Sequence, residues 1–279
     1  MWTFADLLNN FFSHKDFLPP ANEIPGTLFT PLHFAFAAIM LAAVITLSLI
    51  LSKKSEKTIR TVFAIMWCVI AVYEVVQMVW ETCAGEDIYF EWAGVLRLYP
   101  CSIFLYALPF AIFGHGLVRR AACGYVCSLG FLGGAINFIY PANVLSNYSC
   151  FSFAGFHTFI FHGSIVFCTI VMLRSDYHSF RGIKKWWELL LPAIPFLIVS
   201  IPANLVNFSH IDSDYMFFKL ESFIFAPLGA ATPDWLSVVI VYAVYLLIHA
   251  IPYLPSYIGG KISALRSKLK EKEKEVCLK

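Results

Sequence analysis

Apolar residues run along this chain in long, nearly unbroken blocks, close to the ~20 residues a helix needs to cross a bilayer. Seven blocks of this kind are predicted as membrane spans: 29–51, 61–81, 97–116, 121–140, 152–173, 189–208 and 234–254. Short polar loops join them, and neither a linker nor a repeat divides them. Residues 1–28 read as an amphipathic lead, with Phe11, Phe12 and Phe17 ahead of the turn-forming Pro19-Pro20 and Pro25-Gly26. Residues 255–279 read as a charged tail. Within it, 261–276 sets Leu265 and Leu269 among alternating Lys and Glu, the pattern of a solvated helix. Attraction to anionic headgroups is the alternative for that segment. The expected fold is all-α and polytopic, with three parts: the lead at 1–28, a seven-helix domain at 29–254 and the tail at 255–279.

Composition agrees. The chain is 59% hydrophobic and 14% charged, whereas soluble domains carry ~25% charged residues. The distribution of charge then sets the expected orientation. With the N-terminus outside and the C-terminus cytoplasmic, all of the 20 Lys and Arg residues fall inside except Lys15, Arg97 and Lys219. The positive-inside rule is obeyed at every loop. The N-terminus lacks the basic and small-residue pattern of a cleavable signal, so a multi-pass protein of the plasma membrane is expected.

The 8 cysteines contain no Cys-x-x-Cys pair and no zinc spacing. Cys123 and Cys127 suit helix packing. Cys83 and Cys150 both fall in outside loops, which leaves a disulfide between them open.

Ionisable groups within a membrane are costly and are functional candidates by default. The second span carries Glu74 and Gln77, with Glu81 at its outer end, at spacings that put all three on one face. That face avoids lipid, either as a hydrogen-bonded stripe between helices or as part of a site. In the fifth span His157 and His162 lie about 140° apart around the helix, so at most one is expected to face a common site; the other packs. The sixth span ends with Asn204 and Asn207 beside Pro202. These amides either donate to a buried oxyanion or satisfy backbone freed by the proline. The third span opens Arg97-Leu98-Tyr99-Pro100-Cys101-Ser102. Buried cysteine is usually an inert small hydrophobe. A thiol near a helix N-terminus beside an arginine, however, has a setting that favours the thiolate, and a histidine from another span would complete a nucleophile pair.

The chain resembles the YwaF-type bacterial integral membrane proteins, which are similar in turn to the vertebrate transmembrane protein 164 family. The likeness is carried by Leu98-Tyr99-Pro100-Cys101-Ser102, by Phe159-Ile160-Phe161-His162-Gly163, and by Pro202-Ala203-Asn204 through Asn207. Asp214-Tyr215-Met216-Phe217-Phe218 and Thr232-Pro233-Asp234-Trp235 follow. The vertebrate relatives are regarded as acyltransferases acting on lysophospholipids through a cysteine and a histidine, a pair that maps onto Cys101 and His162. Bacterial-type members often have a histidine where this chain has Tyr99.

Two readings follow. In the first, the protein is an intramembrane acyltransferase or lipid hydrolase. Cys101 is the nucleophile and His162 the base, with His157, Glu74, Gln77, Tyr99, Asn204 and Asn207 orienting substrate or stabilising charge. In the second it is a carrier or binding protein whose polar pocket is formed by Glu74, Gln77, His162, Asn204 and Asn207. Gly130, Gly133 and Gly134 would suit moving helices in that case. Either way the expected partners are membrane lipids, with no role for nucleic acid, metal or cofactor. A retinal-type protein is excluded because no span contains a lysine.

Overall fold

The computed structural model describes residues 2–86, 97–209, 214–218 and 232–277. Lys219 and Lys279, both used in the charge argument, lie outside the described residues. The chain is helical: α1 (Phe4–Asn9), α2 (Pro31–Leu51), α3 (Glu56–Cys83), α4 (Ile103–Phe113), α5 (Gly116–Tyr125), α6 (Phe131–Ile139), α7 (Ala142–Leu145), α8 (Phe153–Arg174), α9 (Ile194–Ser209), α10 (Asp234–Ala250) and α11 (Leu254–Cys277). A π-helical turn, Val126–Gly130, joins α5 to α6, and a 3-10 segment, Trp186–Ala193, leads into α9. No strand occurs among the described residues. The N-caps are those expected of polar residues at helix starts. Thr30 precedes Pro31 at the first turn of α2, Ser55 caps α3, and the Ser152 hydroxyl accepts from Gly155 N–H at 3.0 Å to open α8.

Among the described residues, six helical segments are long and apolar enough to cross a membrane. The third predicted span differs. Instead of a helix over 97–116, α4 covers only Ile103–Phe113, roughly 16 Å at 1.5 Å per residue. Arg97–Ser102 is a non-helical approach, so Pro100 does not occupy a first helical turn. Neighbours secure this short element. Pro109 supplies no N–H to the carbonyl of Leu105, and the Trp67 indole donates to that carbonyl at 2.8 Å. At the far end the Arg60 guanidinium donates to Ile112 O at 3.0 Å and the Tyr177 hydroxyl to Ala111 O at 2.8 Å.

Helix α3 shows the period that organises the bundle. Ile59, Phe63, Ile70, Glu74 and Gln77 are buried along one face, while Ile65, Val69, Val72, Val76 and Val79 are exposed along the other. An apolar exposed face on a helix of this length is a lipid face. Helix α8 is the most enclosed span and packs against α2, α3 and α6.

The lead is docked rather than free. Phe11 O accepts from Phe153 N–H at 2.8 Å, meeting an orphan donor at the start of α8. Phe12 O accepts from the Trp80 indole at 3.0 Å, and Gly26 O from Cys150 N–H at 2.8 Å. Gly26 has φ +82°, and a Cβ there would come within 2.8 Å of both Cys150 Sγ and Ser149 Oγ. Cys83 and Cys150 are both free, the first exposed and the second buried beneath Gly26. Burial pushes the Cys150 thiol up to about 12.

Candidate functional site

Glu74 is the electrostatic centre of the half of the bundle against which the N-terminal lead docks. Its face of α3 is turned inward, leaving it 9% exposed. His157 Nε2 lies 2.8 Å from one carboxylate oxygen, and Arg97 Nε lies 3.5 Å from the other. These are charge contacts more than aligned hydrogen bonds, since neither nitrogen meets hydrogen-bond geometry. A buried carboxylate needs such partners, and here they come from a different helix and from the approach to α4. The polar stripe continues toward the lead: Gln77 Nε2 donates to Glu81 Oε2 at 3.2 Å, and Glu81 Oε1 lies 3.5 Å from His14 Nε2.

The two histidines of α8 are in different states. His157 is enclosed by the Tyr73 ring, edge-on at 4.9 Å, and by Phe161, stacked at 6.1 Å, and is held against Glu74. His162 Nδ1 lies 2.7 Å from Thr158 O, one turn back on the same helix, and 3.2 Å from the Thr158 hydroxyl. A carbonyl only accepts, so the ring proton is assigned to Nδ1. Nε2 is then a bare lone pair, and it is buried without a hydrogen-bond partner. Although 140° apart, both histidines feel the charge of Glu74, His157 by contact and His162 at longer range.

Cys101 sits in the turn before α4, half-buried, and Glu74 acts on it as well. The Ser102 hydroxyl and the N–H groups of Cys101 and Ser102 neighbour its sulfur. The turn is held from behind by the Tyr125 hydroxyl, which donates to Pro100 O. Two glycines bring the thiol and His162 onto one helix, α6. A Cβ at Gly133 would lie 3.6 Å from Cys101 Cβ, and one at Gly134 would lie 3.1 Å from His162 O. Gly134 therefore serves close packing, whereas a Cβ at Gly133 would make only ordinary contact. Cys101 and His162 are not hydrogen-bonded to each other in this state.

The remaining predicted residues are placed elsewhere. Asn207 makes a two-way clamp with the backbone of Tyr215, donating to its carbonyl at 2.9 Å and accepting from its N–H at 2.8 Å. Asn204 donates to the Tyr242 hydroxyl at 2.9 Å, and Tyr242 donates on to Ser200 Oγ at 2.8 Å. These amides thus bond Tyr215 and Tyr242 rather than the backbone at Pro202. Tyr99 links this group to the thiol turn through a ring contact with Tyr215 at 5.1 Å.

Thr158, Ser102 and Tyr125 were not singled out from the sequence. Thr158 is four residues before His162, a spacing that places it one helical turn away and was available to read. Tyr125 gave no such signal, because its contact crosses 25 residues. At the opposite end of the bundle, buried His178 lies 2.7 Å from the Tyr253 hydroxyl. Burial, reinforced by the charges of Arg120 and Arg119, lowers its pKa to about 4.

Searches of curated proteins and of solved structures give no match. The TMEM164 family profile matches residues 28–258, from just before the first span to the beginning of α11. That match covers Cys101, both histidines and every helix that surrounds them, and the chain belongs to the TMEM164 family.

Proposed function

We propose that this membrane protein is an acyltransferase, or a lipid hydrolase when water is the acceptor, working on phospholipid acyl esters through Cys101 and His162. The observation that carries the reading is the state of His162. Its Nδ1–H is fixed on a backbone carbonyl and its Nε2 lone pair is buried and unused, which is what a general base requires.

In the proposed cycle His162 Nε2 takes the thiol proton as Cys101 Sγ attacks the ester carbonyl. The C–S bond forms, the C–O bond breaks, and His162 returns the proton to the departing lyso-lipid oxygen. A second lyso-lipid or a water then gives His162 its proton and attacks the thioester. Cleavage of the C–S bond frees the new ester or acid, and the proton returns to sulfur. Substrate binding brings base and thiol together, since catalytic hydrogen bonds often tighten only then. The Ser102 hydroxyl and the Cys101 N–H beside the sulfur are the donors for the oxyanion; Asn204 and Asn207 are engaged with Tyr242 and Tyr215. Glu74 and His157 form a fixed pair that sets the local charge, with Gln77 extending it and Tyr99 bracing the turn. The substrate is a lipid of the surrounding bilayer, here the plasma membrane, and the cycle requires no cofactor.

The carrier reading needs Asn204, Asn207 and Glu74 to share one pocket, and the commitments of the two amides weigh against it.

Acyl-enzyme trapping tests the proposal. Purified protein is incubated with phospholipid carrying a labelled acyl chain. Hydroxylamine-sensitive label is expected on the wild type and none on Cys101→Ser. Equal label on Cys101→Ser, or none on folded wild type across several lipid classes, would refute it.

A further inference from the structure

Helix α11 leaves the bundle at a well-anchored point. Tyr253, just before it, is buried with its hydroxyl against His178, and it packs over Gly124, where a Cβ would come within 2.6 Å of that hydroxyl. From Ile258 through Leu269, by contrast, every residue is exposed. Four of them are large and apolar: Ile258, Ile262, Leu265 and Leu269 are 47% to 60% exposed. Spacings of four, three and four at 100° per residue place them within an arc of roughly 60°. An apolar stripe this narrow, on a segment whose residues 258–269 are all exposed, calls for an occupant.

The charges flanking the stripe identify it. Lys261 and Lys268 border one side and Arg266 the other, with no acidic residue between 258 and 269; beyond, Lys270, Lys272 and Lys274 alternate with Glu271, Glu273 and Glu275. A second copy of the helix packed along the stripe would set these basic borders against each other. An anionic lipid surface would instead meet the stripe with acyl chains and the borders with phosphates. Gly259 and Gly260, with nothing within 4 Å of a Cβ at either position, give the helix a place to bend toward the membrane plane. The helix also begins where the last span ends, so the bilayer surface is the nearest large surface available.

We infer that α11, from Ile258 onward, is a docking surface for the anionic headgroups of the leaflet at which α10 ends. This inference is independent of the chemistry proposed for Cys101.

The test is hydrogen exchange of the 258–276 amides in the full chain, reconstituted in nanodiscs of phosphatidylcholine alone or mixed with phosphatidylglycerol. Exchange is expected to slow about tenfold in the anionic discs at low salt and to lose that protection at high salt. Replacing Leu265 and Leu269 with Gln, or Lys261, Arg266 and Lys268 with Gln, should each abolish the protection. All five positions are exposed, so the bundle should fold in both variants. Equal exchange in the two lipids would overturn the inference. So would protection that ignores lipid charge but appears only in discs holding two copies, which would assign the stripe to self-association.

Discussion

Two polar groups of this bundle are built from different residues and bond differently. Around Tyr215, the Asn207 amide donates and accepts in one reciprocal clamp, and Asn204, Tyr242 and Ser200 form a chain of matched bonds. Around Glu74, charges are held at contact distance but bonding capacity is left over: Gln77 Oε1, His157 Nε2 and His162 Nε2 are all buried without an aligned hydrogen bond. Polar residues in a membrane are thus of two kinds, those that complete the fold and those kept available. What distinguishes them is unmet bonding together with charge: the Glu74 group is ionisable and buried, whereas Asn204, Asn207 and Tyr242 are neutral and only part-buried.

The contrast can be broken most sharply by His162→Ala. Removing a general base should slow acyl transfer by about 10²–10⁴-fold, read as the rate of label incorporation, with thermal stability altered far less than in the clamp variants. An effect below tenfold would put His162 with the packing residues. Next in size is a pH effect from the opposite end of the bundle. Neutral His178 has its pKa lowered to about 4, so its contribution to stability is full above the ordinary value near 6.5 and falls away as pH drops toward 4. The loss should be roughly 1–3 kcal/mol, seen as a falling unfolding midpoint that His178→Gln flattens. Asn207→Leu should cost a similar or smaller amount, ~1–2 kcal/mol, by stranding the N–H and carbonyl of Tyr215; a thermal melt of the purified variant checks it. Smallest is Tyr125→Phe, which removes one hydrogen bond to Pro100 O and should cost about 1 kcal/mol. Its interest lies in the rate, since a loosened thiol turn should slow labelling while leaving lipid affinity unchanged.

Much of this arrangement was legible in the sequence. The Ile59–Phe63–Ile70–Glu74–Gln77 face of α3 follows directly from helical periodicity, as does its valine-rich lipid face. The shared depth of Arg97, Cys101, Glu74 and His157 was readable too, because span boundaries fix depth. What escaped was whatever depends on contacts between distant segments. The clamp on Tyr215 requires the chain to return after the sixth span. The docking of residues 1–28 rests on backbone bonds that carry no side-chain signature. The tautomer of His162 is set by a carbonyl, which every residue has. The shortening of the third span escaped too, because Pro100 suits a helix start within 97–116 as well as a turn before Ile103, and the indole that answers Leu105 O comes from another helix.

The π-helical turn at Val126–Gly130 carries a consequence for the fourth span. Such a turn holds one residue more than regular α-helix would, and each residue advances the helix by about 100°. By absorbing that residue it keeps the phase of everything after it, including the Gly133–Gly134 edge that faces Cys101 and His162. Deleting a single residue within 126–130 would let the turn close into regular α-helix with that edge still in phase, whereas deleting one from the regular helix of 117–124 would rotate the edge by about 100° and present other side chains in its place. The site is tuned by a count of residues as much as by their identity.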